Sequence, residues 1–333
     1  MSDPAADREL VTAAEAWFVR HGLPYFVDDV RAQAKRGLSS RVFLPVVSLV
    51  SAVAVAIGVL VGRAFDDVSN GVLAGVLTAT LLLLGYGLAR LSVLPMARWA
   101  VSRTFGSLGL LFPLVTRALP LLLLFVTFLF INTEVWQVAS NLDHGILWVA
   151  VLLFAGIAIG FLLVRLPEEL DRVDDQVSGS RLVGACKGTP LEEVAAEHVD
   201  ADLTELAQVK GYDKGNLVFV LLVSQIVQVL MLSLAVYVFF VGFGMVAIRE
   251  PVMASWLGSG DEIHWVFSGW HVLSYELLQV ATFLAAFSGL YFTVYAVSDE
   301  NYRKQFFDSL LTELERAVAV RAVYRILRTA PRG

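Results

Sequence analysis

Two carboxylates stand in stretches that are otherwise apolar. Glu134 falls in the run 118–137 and Glu276 in the run 272–297, each long and apolar enough for a membrane-spanning helix. At about 1.5 Å per residue, Glu134 lies about 24 Å along its run, whereas Glu276, entered from the opposite side, lies about 6 Å deep. The two therefore reach a similar depth near one surface. Intramembrane acids usually face a bundle interior or a wet cavity, and a facing pair can share a proton or hold a cation. Polar neighbours accompany both: Asn132, Thr133 and Gln137 around the first, Ser274 and Gln279 around the second. Glu134, Glu276, Asn132, Gln137 and Gln279 are thus the expected ion or proton site. The competing reading puts both acids at the membrane–water boundary, with Glu276 complementing the positive end of its helix.

Ser224, Gln225 and Gln228 lie in the run 217–240, and the two glutamines, three apart, share a helical face. They either line a polar path or bond across to a neighbouring helix. Asp261, Glu262, His264 and His271 share one loop, but their spacing matches no two-histidine helix motif, which leaves a metal unassigned. Gly242-Phe243-Gly244-Met245-Val246-Ala247 matches a dinucleotide fingerprint only formally, because it ends an apolar run with no βαβ context. A nucleophile elbow, a zinc-protease helix and a phosphate-loop lysine are all missing, so no catalytic residue and no cofactor are expected. A single cysteine, Cys186, excludes an intrachain disulfide and a cysteine-cluster metal site.

Composition sets the frame that must hold these groups. Of 333 residues, 57% are apolar and 17% charged, against about half and a quarter in soluble domains. The reading is an all-α, polytopic membrane protein. A net charge of −6 argues against a nucleic-acid partner. Six runs qualify as spans: 42–61, 71–95, 118–137, 146–164, 217–240 and 272–297. With the N-terminus inside, 22 basic residues fall in inner segments, Arg117 at an inner boundary, and only Arg63 and Arg249 outside. That asymmetry predicts both termini in the cytoplasm. Trp136, Trp148, Trp256, Trp265 and Trp270 crowd the outer turns, as interfacial aromatics do. Residues 99–116 are expected to form a short helix on the membrane face, and no cleavable signal peptide is expected at the start.

The chain divides into an amphipathic arm (1–41), four spans (42–164), an acidic insert (165–216), two spans with an outer loop at 241–271 (217–297), and a basic amphipathic helix (298–333). The arm reads as two helices separated at Gly22, and Leu10, Val11, Ala14, Trp17 and Phe18 form one face suited to lipid headgroups. In the insert, Thr189-Pro190-Leu191-Glu192 is a capping box that predicts a helix to about His198. Arg321, Arg325, Arg328 and Arg332 recur at helical spacing as a basic stripe, expected to lie on anionic lipid or to dock on the insert. Glycines four apart, Gly58 with Gly62, Gly71 with Gly75 and Gly156 with Gly160, allow close helix approach within the chain or between copies, and predict a homo-oligomer.

The runs Trp17-Phe18-Val19-Arg20-His21-Gly22-Leu23-Pro24, Thr116-Arg117-Ala118-Leu119-Pro120, Gly215-Asn216 and Phe287-Ser288-Gly289-Leu290-Tyr291-Phe292-Thr293-Val294-Tyr295 occur in that order. Together they resemble an uncharacterised group of actinobacterial integral membrane proteins. The resemblance implies a bacterial plasma membrane and carries no activity. Two functions are therefore expected: a small-ion channel or transporter joining the outer carboxylates to the span-five glutamines, or a non-catalytic scaffold or accessory subunit.

Overall fold

The computed structural model describes residues 4–106, 123–174, 180–198, 208–257, 263–267, 269–298 and 300–329. Helices α1 (Pro4–Arg20) and α2 (Asp28–Gly37) form the arm, joined by Gly22 at φ +71° and a 3-10 turn at Pro24–Phe26. Then follow α3 (Ser40–Ala64), α4 (Val68–Arg90), α5 (Val93–Gly106), α6 (Leu123–Phe130), α7 (Thr133–Ser140) and α8 (His144–Asp174). The remainder comprises α9 (Ser180–Cys186), α10 (Glu192–Glu197), α11 (Tyr212–Ala247), α12 (Glu250–Leu257), strands β1 (Trp265–Phe267) and β2 (Trp270–Ser274), α13 (Tyr275–Ser298) and α14 (Glu300–Thr329).

Five helices, α3, α4, α8, α11 and α13, are long and apolar enough to cross a membrane, and the pair α6 and α7 makes a sixth only if counted as one bent span. The bend is 74°, and its cause is local. Asn132 stops the first helix and caps the second, its Oδ1 accepting from Glu134 N at 2.8 Å and Val135 N at 3.1 Å. The expectation of one helix over 118–137 is therefore corrected over its described part, 123–137; residues 118–122 lie outside the described residues. Trp136 anchors the turn from inside, donating from Nε1 to Phe130 O at 2.6 Å while fully buried. The second expected span also ends early, at Arg90, because Ser92 at φ +48° turns the chain into α5 and carries Pro95 with it. Of the expected surface helix at 99–116, residues up to 106 belong to α5 and the rest lie outside the described residues. Among the described residues the β structure is one antiparallel hairpin, β1 with β2, a small departure from the all-α reading.

Glycine sets how α3 and α4 meet. A Cβ on Gly71 would come within 2.7 Å of Gly58 O and 3.0 Å of Gly62 Cα, and one on Gly58 within 2.8 Å of Gly71 O. Two of the three glycine pairs thus lock one hairpin inside the chain. The third, Gly156 and Gly160 on α8, has nothing within 4 Å. Helix α13 packs between α8 and α11, and α11 also lies on α5.

At the end carrying both termini, a second layer of helices covers the bundle. Ala14, Trp17 and Phe18 of α1 are buried against Tyr324 of α14 and Phe26, with Phe18 5.5 Å from the Tyr324 ring and 5.3 Å from the Phe26 ring. This corrects the expectation that the α1 face lies among headgroups: it is spent on protein contacts. The helix expected from the capping box is present as α10, but Glu192 reaches back to Gly188 N at 2.7 Å, and Thr189 Oγ1 donates to Cys186 O at 2.6 Å.

Candidate functional site

Helix α11 carries the polar residues that could work inside the bundle, and its buried row runs Asp213, Asn216, Leu217, Val220, Leu221, Ser224, Gln225, Gln228, Leu232, Val236, Phe240 and Gly244. Asn216, fully buried, is satisfied: its Oδ1 accepts from Tyr25 N at 3.0 Å and its Nδ2 donates to Gly22 O at 2.9 Å. Gln225 is the opposite case. It is 0% exposed, and neither its Oε1 nor its Nε2 has a partner; Ser224 Oγ and Gln228 Oε1 are likewise buried and unbonded. A buried amide left unpaired costs about 1–3 kcal/mol per group, so this trio is the least satisfied spot in the described bundle.

The outer carboxylates do not come together as expected. Glu134 is exposed in the first turn of α7, and Asn132 and Gln137 are exposed beside it. Glu276 is 7% exposed, its Oε1 accepting from His264 N at 3.0 Å and lying 2.9 Å from His264 Nδ1, while its Oε2 is buried without a partner. Gln279 donates from Nε2 to Leu142 O at 3.2 Å, tying α13 to the α7–α8 connection. A shared carboxylate pocket is thereby corrected: the helix break at Asn132 turns Glu134 onto the surface while Glu276 points inward. The signal was in the sequence, since Asn followed by Thr and Glu is a helix-start pattern.

Between the two polar groups lies an apolar layer. Leu232, Val236 and Phe240 of α11 meet Leu277, Val280, Ala281 and Leu284 of α13, all buried. From Gln228 to Phe240 the rise is about 18 Å along α11. Phe130 stacks on Phe240 at 4.6 Å and closes the end of that layer away from Gln228. Thr282, at the same depth, gives its hydroxyl to Leu278 O at 2.7 Å. No polar side chain of the buried row bridges Gln228 to Glu276 among the described residues.

The basic stripe of α14 splits. Arg321 is 3% exposed and donates to Asp213 Oδ2 from Nε at 2.9 Å and from Nη2 at 2.5 Å. Arg31 Nη1 reaches the same carboxylate at 2.8 and 3.0 Å, and also bonds Asp28. Arg321 Nη1 donates to Gln208 O at 3.2 Å, and its guanidinium lies 5.4 Å from the Phe26 ring centre. Burial pulls this guanidinium below its ordinary range, and Asp213 opposes that. Arg328 is exposed and pairs with Asp28 Oδ2 at 2.6 Å; Arg325 is half-buried; Arg332 lies outside the described residues. Arg321 is therefore corrected from a lipid-facing to an internal residue, because a carboxylate in the first turn of α11 offers it a fixed partner. Sequence reasoning missed Asp213 and Arg31, which stand 108 and 290 residues from Arg321 with no local pattern to pair them.

Among the described residues, no group of three or more His, Cys, Asp or Glu side chains is placed to hold a metal ion. His271 Nδ1 lies 3.3 Å from Glu250 Oε2 and its ring stacks on Trp265 at 4.8 Å, so the hairpin histidines each face one acid. Cys186 is fully buried in the second layer, and burial pushes its thiol up to about 12. The thiolate is the reactive form. Native protein at pH 8 should therefore resist iodoacetamide, with complete alkylation after denaturation, followed by intact mass; prompt native alkylation would contradict the packing of α9 against α14.

These features define a helical bundle, with five helices long and apolar enough to cross a membrane and an added helical layer on one end. No protein-family model, curated protein or solved structure matches the chain.

Proposed function

We propose that the protein is a non-catalytic scaffold or accessory subunit of a bacterial plasma membrane, with the helical layer of the termini in the cytoplasm. The observation that carries this reading is the apolar layer between Gln228 and Glu276, which separates the two polar groups that a transport path would need to join. The exposed α8 face at Gly156, Ile157 and Gly160 supports a further helix as neighbour, and a second copy of this chain is the occupant we assign to it. The orientation rests on the asymmetry of basic residues.

Reconstitution tests the proposal. Proteoliposomes loaded with pH-, K⁺-, Na⁺- and Cl⁻-sensitive dyes should show flux no faster than protein-free vesicles, and a photo-crosslinker at Ile157 should yield one discrete dimeric adduct. A second reading, small-ion transport, is favoured by the unpartnered Ser224, Gln225 and Gln228. Flux at least tenfold above the empty vesicles, lost in Gln225→Leu, would establish that reading and end the first.

A further inference from the structure

Basic side chains gather at one corner of the bundle where, among the described residues, no acid pairs with them. Tyr86 of α4 donates its hydroxyl to Gly37 O, the last residue of α2, at 2.7 Å, and a Cβ on Gly37 would lie 3.6 Å from Arg90 Cβ. The ends of α2 and α4 are thus joined. Lys35 and Arg36 occupy the last turn of α2, Arg90 ends α4, and Arg41 is the second residue of α3. All four are exposed, and none has an ion pair among the described residues. Between Asp29 and Asp66, and again between Asp67 and Glu134, the chain has no acidic residue. Asp28, the other acid of α2, is already held by Arg31 and Arg328, and Asp29 lies two turns back from Arg36.

Within four residues of these cations in the sequence the surface is apolar: Leu38 is 37%, Leu44 61%, Leu88 41% and Leu94 59% exposed. Cationic heads above an apolar skirt match one chemistry, an anionic phospholipid with its phosphate at the bases and its acyl chains along the leucines. We propose that the α2–α3–α4 corner, with Lys35, Arg36, Arg41 and Arg90, is a binding site for anionic phospholipid headgroups. Its four residues are distinct from the α14 stripe, whose Arg321 is engaged with Asp213 and whose Arg328 pairs with Asp28 in the first turn of α2. The proposal needs only that the apolar helices are in a membrane, and stands whether the protein scaffolds or transports.

Native mass spectrometry of the full-length protein, released from detergent with equal phosphatidylglycerol and phosphatidylcholine, tests it. Wild type should retain phosphatidylglycerol in preference. Arg36→Gln/Arg90→Gln should lower that preference by about 25-fold, from about fivefold per basic residue at an anionic surface. Arg63→Gln/Arg249→Gln, an equal charge change at the other end of the bundle, should leave it intact. Arg36→Lys/Arg90→Lys keeps the charge and should keep most of the preference, which guards against misfolding as the cause. Raising salt should weaken retention, since exposed charges are screened over about 8 Å at physiological ionic strength. Equal retention of the two lipids by wild type, or the same loss in both glutamine variants, would overturn the site. Inorganic phosphate displacing phosphatidylglycerol at millimolar concentration would overturn the lipid assignment in favour of a soluble anion.

Discussion

Asp213→Ala should destabilise the protein by about 3–5 kcal/mol, because it removes the buried carboxylate that accepts from both Nε and Nη2 of the buried Arg321 guanidinium. The Asp213 and Arg321 side chains are 3% and 4% exposed, so solvent screens little of their attraction. Thermal unfolding in detergent should shift downward, and limited proteolysis should cut within α14, which wild type protects. Asp213→Ala combined with Arg321→Met should recover much of the loss, since neither charge then remains stranded and Arg31 keeps Asp28. A single variant within about 0.5 kcal/mol of wild type would show that the carboxylate does not hold the layer to the bundle. The outer pair, Arg328 with Asp28, gives the contrast: at 37% and 42% exposure it should be worth under about 1 kcal/mol and fade with salt.

Gly71→Ala should cost about 1–3 kcal/mol, because the new methyl meets backbone, which cannot rotate away. The contacts are Gly58 O at 2.7 Å and Gly62 Cα at 3.0 Å, so α3 and α4 must separate along their length. Gly58→Ala should do the same against Gly71 O at 2.8 Å, and the double variant should fall short of the sum, since one separation relieves both clashes. Gly156→Ala, with nothing within 4 Å, should be neutral in the monomer. Unfolding in mixed micelles measures all four; a neutral Gly71→Ala would mean that the hairpin has slack its spacing does not show.

The long helices were legible because apolar length is a local property: α3, α8 and α11 enclose the expected runs and extend beyond them. The broken span was legible only to a reader weighing Asn132-Thr133-Glu134 as a helix start above the apolar run that contains it. Amphipathic faces were visible in the arm at Phe18 and in the basic C-terminal helix, yet their partner was not, since a lipid headgroup and a neighbouring helix ask for the same pattern. Protein took both. Glycine spacing marked three close approaches and did not distinguish Gly71, which meets backbone, from Gly156, which meets nothing. Gln225 and Gln228 were picked out by type; that Gln225 would be wholly unpaired depended on which apolar residues α13 brought opposite.

The layer at the termini also constrains when the molecule can be finished. Glu15 accepts from the Tyr324 hydroxyl across 309 residues, and Asp28 meets Arg328 across 300. Chains emerge from a ribosome at about 5–20 residues per second, so the arm waits on the order of 15–60 s for the helix that covers it. During that interval Phe18 has Phe26 beside it but lacks the Tyr324 ring that completes its cover. A chain halted before Arg321 leaves Asp213 with Arg31 as its guanidinium partner and leaves the arm without the α14 face that packs on it.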